Sequence, residues 1–115
     1  MPRLDFYANF KVFVKLRLTG HGMLIGRGND CDLQLVDEKI SRQHTRIREQ
    51  DGSYWIENLS PNGTRVNHAM VEAPQPLKAG DRIYIEETVV VFQEDDAPTE
   101  ELSQKKTLTN VPPLR

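Results

Sequence analysis

GRGNDCDLQLVDEKISRQHTRIREQDGSYWIENLSPNGTRVN, residues 26–67, is the stretch whose reading decides the fold. Short apolar runs alternate in it with three polar clusters: Gly26-Arg27, Ser41-Arg42-Gln43-His44 and Ser60-Pro61-Asn62-Gly63-Thr64. Leu33-Gln34-Leu35-Val36 and Tyr54-Trp55-Ile56 are too short for helices and read as strands. Around Ile47 the chain alternates apolar and polar, and Asp51-Gly52 is a strong two-residue hairpin signal. Each polar cluster falls where a strand ends, so all three are loops. Guanidinium, hydroxyl and amide groups make a poor core but a good grip on an anion. Whether the three loops converge on one ligand is the functional question.

Working outward, Phe10, Val12, Val14, Leu16 and Leu18 alternate with charged Lys11, Lys15 and Arg17, the period of two of a half-buried strand. Gly20-His21-Gly22 reads as a turn, from which Met23-Leu24-Ile25 is expected to return antiparallel to that strand. Downstream, Thr64-Arg65-Val66, Asp81-Arg82-Ile83-Tyr84-Ile85 and the run from Thr88 to Phe92 are further strands. Pro74, Pro76 and Ala79-Gly80 mark the turns among them. No segment through residue 93 has a sustained i, i+3, i+4 apolar pattern. Many short strands with frequent turn signals predict an all-β sandwich or barrel with no substantial helix. The expected core is Val12, Val14, Leu16, Leu24, Ile25, Leu33, Leu35, Ile47, Trp55, Ile56, Leu59, Val66, Ile83, Ile85, Val89, Val91 and part of Phe92.

Residues 1–9 carry little signal and read as a loose leader, with one domain over 10–93. From Glu94 the composition changes: 94–115 has three prolines and no aromatic residue, and reads as a flexible, disordered tail. The whole chain has 15 basic and 17 acidic residues in 115. That balance argues against a broad nucleic-acid or membrane footprint, which needs a dominant basic face. No apolar run approaches the roughly 18 residues of a membrane span, and the N-terminus lacks the apolar core of a signal peptide. The lone Cys31 excludes an internal disulfide and suits a reducing cytoplasm.

Ser41 and His44 raise the idea of a nucleophile and its base. A hydrolase also needs an oriented base and an oxyanion hole, and no G-x-S-x-G elbow is present. Ser41 fits better as a hydroxyl donor to an anion and His44 as a loop brace. His21, His44, His68 and Cys31 lack paired metal-ligand spacing, so no metal is expected. GRGND is not a phosphate-binding P-loop, and no cofactor is expected.

Gly26-Arg27, Ser41-x-x-His44, Asn62-Gly63-Thr64 and Val66-Asn67, closed by Leu77-x-x-Gly80-Asp81-x-Ile83, together resemble the signature of the forkhead-associated (FHA) domain family. The resemblance covers roughly 10–93. It implies a two-sheet β-sandwich of about eleven strands whose loops at one end bind a phosphothreonine peptide in signalling, downstream of a Ser/Thr kinase. Phospho-motif reading through arginine is a known recognition mode of this family.

By the same resemblance, Arg27 and Ser41 donate to the phosphate. Arg42 contacts phosphate or peptide backbone, or is a plain surface arginine. Asn62 holds the peptide main chain, and Lys39 reads the third residue after the phosphothreonine, favouring an acidic one. Asn67 touches the peptide or stabilises its loop. Gly26, His44 and Gly63 shape the loops, and Thr64 braces the last of them.

One departure stands out. The position before Asn-Gly often carries a hydroxyl that also meets the phosphate; here it is Pro61, which has no donor. Ser60 lies one residue too early to be assumed to point the same way. A missing phosphate bond keeps open an alternative, a phospho-independent interaction scaffold of the same fold. In the tail, Thr99, Thr107 and Thr109 are candidates for phosphorylation and binding back to the domain's own loops or to a second copy. None has an acidic residue three positions on.

Overall fold

The computed structural model describes residues 2–8, 11–18, 22–86, 88–94 and 106–109. Twelve strands are found among the described residues, in the chain order β1 (Arg3–Ala8), β2 (Lys11–Arg17), β3 (Met23–Gly26), β4 (Leu33–Val36), β5 (Thr45–Gln50), β6 (Ser53–Asn58), β7 (Arg65–Val66), β8 (Ala69–Met70), β9 (Gln75–Pro76), β10 (Arg82–Ile85), β11 (Thr88–Gln93) and β12 (Lys106–Thr109). They form two six-stranded sheets, ordered β2-β1-β11-β10-β7-β8 and β12-β4-β3-β5-β6-β9. The architecture is the expected all-β sandwich, with no helix among the described residues.

Alternation along each strand builds the core. Met23 and Ile25, Leu33 and Leu35, Ile47, and Tyr54 and Ile56 are buried in the second sheet. Leu4, Phe6, Leu16, Val66, Ile83, Ile85, Val90 and Phe92 are buried in the first. Tyr54 and Phe92 join the two sheets, with ring centroids 6.0 Å apart and planes tilted by 49°. Asp51 and Gly52 adopt positive φ (54° and 80°) between paired Gln50 and Ser53, the two-residue hairpin that Asp-Gly announces.

Several expectations are corrected. Residues 3–8 are no leader: β1 is an inner strand, paired antiparallel with both β2 and β11. Leu4 and Phe6 face the core, while Arg3 and Asp5, on the opposite face, form a buried bidentate pair at 2.8 and 3.1 Å. Two apolar residues between charges are a thin signal, because charges two apart on a strand look solvated until they are seen to pair. β3 does not return alongside β2; it crosses to the other sheet, where it pairs with β4 and β5. Leu24, Trp55 and Val89 are only half-buried, because core-facing Met23, Tyr54 and Val90 set the register one residue away; Leu59, just past the end of β6, is half-buried too. The side chains of Val12 and Val14 lie outside the described residues.

The tail also differs from its expectation over four residues. β12 pairs in parallel with β4, Lys106 opposite Leu33 and Thr109 opposite Val36. It is the strand beyond the implied eleven. Backbone pairing at a sheet edge needs no apolar composition, so a composition argument could not reveal it. Thr99 lies outside the described residues.

Candidate functional site

The three polar clusters meet at one end of the sandwich. The Arg27 and Gly28 N–H groups donate to the carbonyls of Ser41 and Arg42, both at 2.9 Å. Gly26 is needed for this close approach: a Cβ there would overlap the Arg42 carbonyl oxygen. The second loop joins the third through the 2.9 Å bond from Leu59 N–H to the His44 carbonyl.

His44 is fully buried and holds the arrangement from its centre. Its Nδ1 accepts the Ser41 backbone N–H at 3.2 Å. The ring proton therefore sits on Nε2, which donates to the Gly63 carbonyl at 2.9 Å. Both nitrogens are spent on backbone, and neither reaches the Ser41 hydroxyl. The Ser41–His44 spacing is thus not a nucleophile–base pair; the His44 ring links the Ser41 N–H to the Gly63 carbonyl.

Arg27 is exposed and points its fork from a fixed anchor. Nε donates to the Ile40 carbonyl at 2.9 Å, which leaves the two terminal nitrogens for a ligand. The Ile40 N–H is held in turn by the Asp37 carbonyl at 3.0 Å. Arg42 and Lys39 are exposed on the same rim. Three carboxylates of these loops are engaged in bracing: Asp32 accepts Leu24 N–H at 2.8 Å, Asp37 accepts Lys39 N–H at 3.0 Å, and Asp30 accepts the Gln43 amide at 2.6 Å.

The third loop is a tight turn. Gly63 N–H donates to the Ser60 carbonyl at 3.1 Å, which places Pro61 at the second position of a β-turn. That position favours proline, since its missing N–H is not needed. Positive φ falls on Gly63, at 91°. Asn62 is exposed, and its amide donates to the Lys39 carbonyl at 3.4 Å, across the gap between the second and third loops.

Thr64 is buried. Its hydroxyl donates to Asn58 Oδ1 at 2.8 Å, so it accepts from Thr45, 2.9 Å away. Thr64 thus ties Asn58 and Thr45 together through one hydroxyl. Arg27, Lys39, Ser41, Arg42 and Asn62 gather on one rim, with Gly26, His44, Gly63 and Thr64 beneath. Asn67 does not join them. It sits between β7 and β8 at φ 58°, its amide donating to Asp81 at 3.1 Å and its carbonyl accepting Arg82 N–H at 3.0 Å. Both ends of its side chain are used, which favours the loop-stabilising role over peptide contact.

Asn58 was not singled out in the sequence, and the direction of Ser60 was left open there. Asn58 Oδ1 accepts Ser60 N–H at 3.1 Å and its Nδ2 donates to the Ser60 carbonyl at 2.9 Å. The Ser60 hydroxyl accepts Asn62 N–H at 3.0 Å and lies 2.6 Å from the Ser41 hydroxyl. The available signal was local: Asn-x-Ser-Pro-Asn is suited to successive side-chain-to-backbone turns two residues apart. Cys31 is buried, with its thiol 3.0 Å from the Arg42 carbonyl.

A two-sheet sandwich with this loop cluster is the arrangement of an FHA domain. The model of that family matches residues 23–86, more than half of the chain, and the chain belongs to it. It is 42% identical over 66 residues to the E3 ubiquitin-protein ligase CHFR of Xenopus tropicalis, covering 53% of this chain and 10% of that protein. It is 31% identical over 77 residues to the FHA domain-containing protein FhaB of Mycolicibacterium smegmatis, covering 66% and 50%. The chain thus spans half or less of the length of these curated relatives. The FHA domain of the CT664 protein from Chlamydia trachomatis superposes with a TM-score of 0.75 at 27% identity, covering 83% of this chain and 98% of that one. An FHA structure solved in work on phosphothreonine-dependent FHA interactions has a TM-score of 0.67 at 28% identity, covering 84% and 98%.

Proposed function

We propose that this chain is a phosphothreonine-peptide reader that mediates phosphorylation-dependent protein–protein interaction in intracellular signalling. The observation that carries the reading is the convergence of an anchored Arg27 fork, the Ser41 hydroxyl and the Asn62 amide on one rim. A phosphothreonine brings about −1.5 to −2 charges and three acceptor oxygens. Arg27 and Ser41 donate to it, Arg42 adds charge, and Asn62 holds the peptide main chain. Lys39 selects an acidic residue at the third position after the phosphothreonine. The phosphothreonine dependence studied in a structural neighbour at 28% identity supports this reading. No role in bond-breaking chemistry is assigned, since the His44 nitrogens are both taken by backbone.

Titration with an oriented phosphothreonine peptide library, and with its phosphoserine and unphosphorylated counterparts, tests the reading. Binding that needs the phosphate and is lost in Arg27→Ala supports it. Binding that ignores both favours the phospho-independent scaffold, the alternative that Pro61 motivates. Absence of enrichment for Asp or Glu at the third position would remove the Lys39 assignment.

The tail is the second proposed partner, after phosphorylation by a Ser/Thr kinase at Thr99, Thr107 or Thr109. The backbones of Thr107 and Thr109 are paired with β4. Self-binding through either one therefore requires β12 to leave the sheet edge first. Kinase treatment followed by NMR decides the matter: a phosphorylated tail that leaves the Arg27 and Ser41 signals unmoved sinks it.

A further inference from the structure

We propose that Ser60 is a positioning residue that turns the Ser41 hydroxyl into a dedicated donor to bound phosphate. The inference rests on the phosphothreonine reading above. It starts from a proton count along three groups. The Asn62 N–H donates to the Ser60 hydroxyl oxygen at 3.0 Å. That oxygen lies 2.6 Å from the Ser41 hydroxyl oxygen, within the range of a good O–H···O bond. Each hydroxyl has one proton, so one of the two serines donates and the other accepts.

The environment and the ligand choose between the two directions. Ser60 is only 4% exposed, so its proton has little access to water. If Ser41 donated to Ser60, that buried proton would need another acceptor, and Ser41 would turn its lone pairs toward an anion. Phosphate oxygens accept only. The favourable direction is therefore Asn62 N–H to Ser60, Ser60 O–H to Ser41, and Ser41 O–H to phosphate. Successive bonds in such a chain polarise one another, by about 10–30% each.

This direction also gives Pro61 a physical meaning. Proline has no hydroxyl to offer the phosphate, but it fits the second position of the turn that begins at Ser60. The turn brings Asn62 N–H back over the Ser60 hydroxyl. One direct phosphate contact is absent, and the remaining hydroxyl donor is oriented by the residue before the proline. Asn62 thereby acts twice: its side chain meets the peptide, and its backbone N–H heads the chain that ends at Ser41.

A double-mutant cycle with Ser60→Ala, Ser41→Ala and the double variant tests this, with Ser60→Thr as the conservative control. Affinity is measured for a phosphothreonine peptide selected from the library and for its unphosphorylated form; thermal unfolding and amide exchange at Asn62 report on the turn. The expected result is a loss of about tenfold in phosphopeptide affinity for Ser60→Ala, a larger loss for Ser41→Ala, and no further loss in the double variant, with Ser60→Thr near wild type. Losses that multiply in a folded double variant, or an unchanged Ser60→Ala, overturn the proposal while the phosphothreonine reading stands. Should Ser60→Ala fail to fold, failure of Ser60→Thr to bind while folded overturns it equally. A wild-type chain that does not distinguish phosphorylated from unphosphorylated peptides removes the reading and the relay together, and is recognised by that comparison alone.

Discussion

At the scale of single residues, Arg27 is the group whose geometry matters most. Its Nε is held by the Ile40 carbonyl, so the side chain enters binding already oriented. Lysine has a point charge and no fork. Arg27→Lys is therefore expected to keep the fold and weaken phosphothreonine-peptide binding by about tenfold or more, since a charge-assisted bond is worth about 1.5–3 kcal/mol; calorimetric titration checks it. Gly26→Ala acts through packing instead. The added methyl would overlap the Arg42 carbonyl and part the first loop from the second. A stability loss of about 1–3 kcal/mol in urea unfolding is expected, with phosphopeptide binding reduced alongside. Arg27, Ser41 and Asn62 were legible as candidates because they lie in polar clusters at strand ends that together resemble the FHA signature. Ser60 was not, because the hydroxyl it meets belongs to Ser41, 19 residues away. Asn67 stayed ambiguous for the same reason, its partner Asp81 being 14 residues off.

At the scale of elements, β1 is the clearest case of a segment defined by its neighbours. Phe6 is fully buried on a strand flanked by two others. Phe6→Ala is expected to cost about 3–5 kcal/mol, read from the urea midpoint, whereas a loose leader would show no change. On β6, Tyr54 has its phenol pKa raised above 10.0 by burial and, secondarily, by the charge of Glu49. The folded state thus holds this proton more tightly than the unfolded chain. The stability linked to it is fully present below pH 10 and is lost as pH rises through the raised value. Tyr54→Phe should lessen the alkaline fall in stability, as followed by urea unfolding between neutral and alkaline pH. The strands 23–26, 33–36, 45–50, 53–58, 82–85 and 88–93 were legible from alternation and turn residues. β8, β9 and β12 are two to four residues long and held largely by backbone pairing, which leaves little mark in side-chain pattern.

At the scale of the molecule, the sandwich acts as a rigid mount for three loops that are already bonded to one another. Binding should therefore add its free energy to folding by simple linkage. At a phosphothreonine-peptide concentration of 100 times Kd, stabilisation by about 2.7 kcal/mol is expected, seen as a rise in Tm. Arg27→Ala should lose most of that rise at the same peptide concentration. A peptide that binds without raising Tm would mean that it also binds the unfolded chain.

The amino-acid sequence by itself determined the β class and most of the strands, because period-two alternation and turn chemistry are local properties of the chain. It also determined where the polar loop clusters fall, since strand ends are visible as interruptions of that alternation. Only the tertiary structure decided that β3 joins the opposite sheet from β2, that β1 is an inner strand with Leu4 and Phe6 in the core, and that Asn67 braces β10. It alone brought Ser60 against Ser41. Each of these depends on contacts between segments far apart in the chain, where hydrogen-bond direction and close backbone approach are set by the packing of two sheets and leave no pattern along one strand.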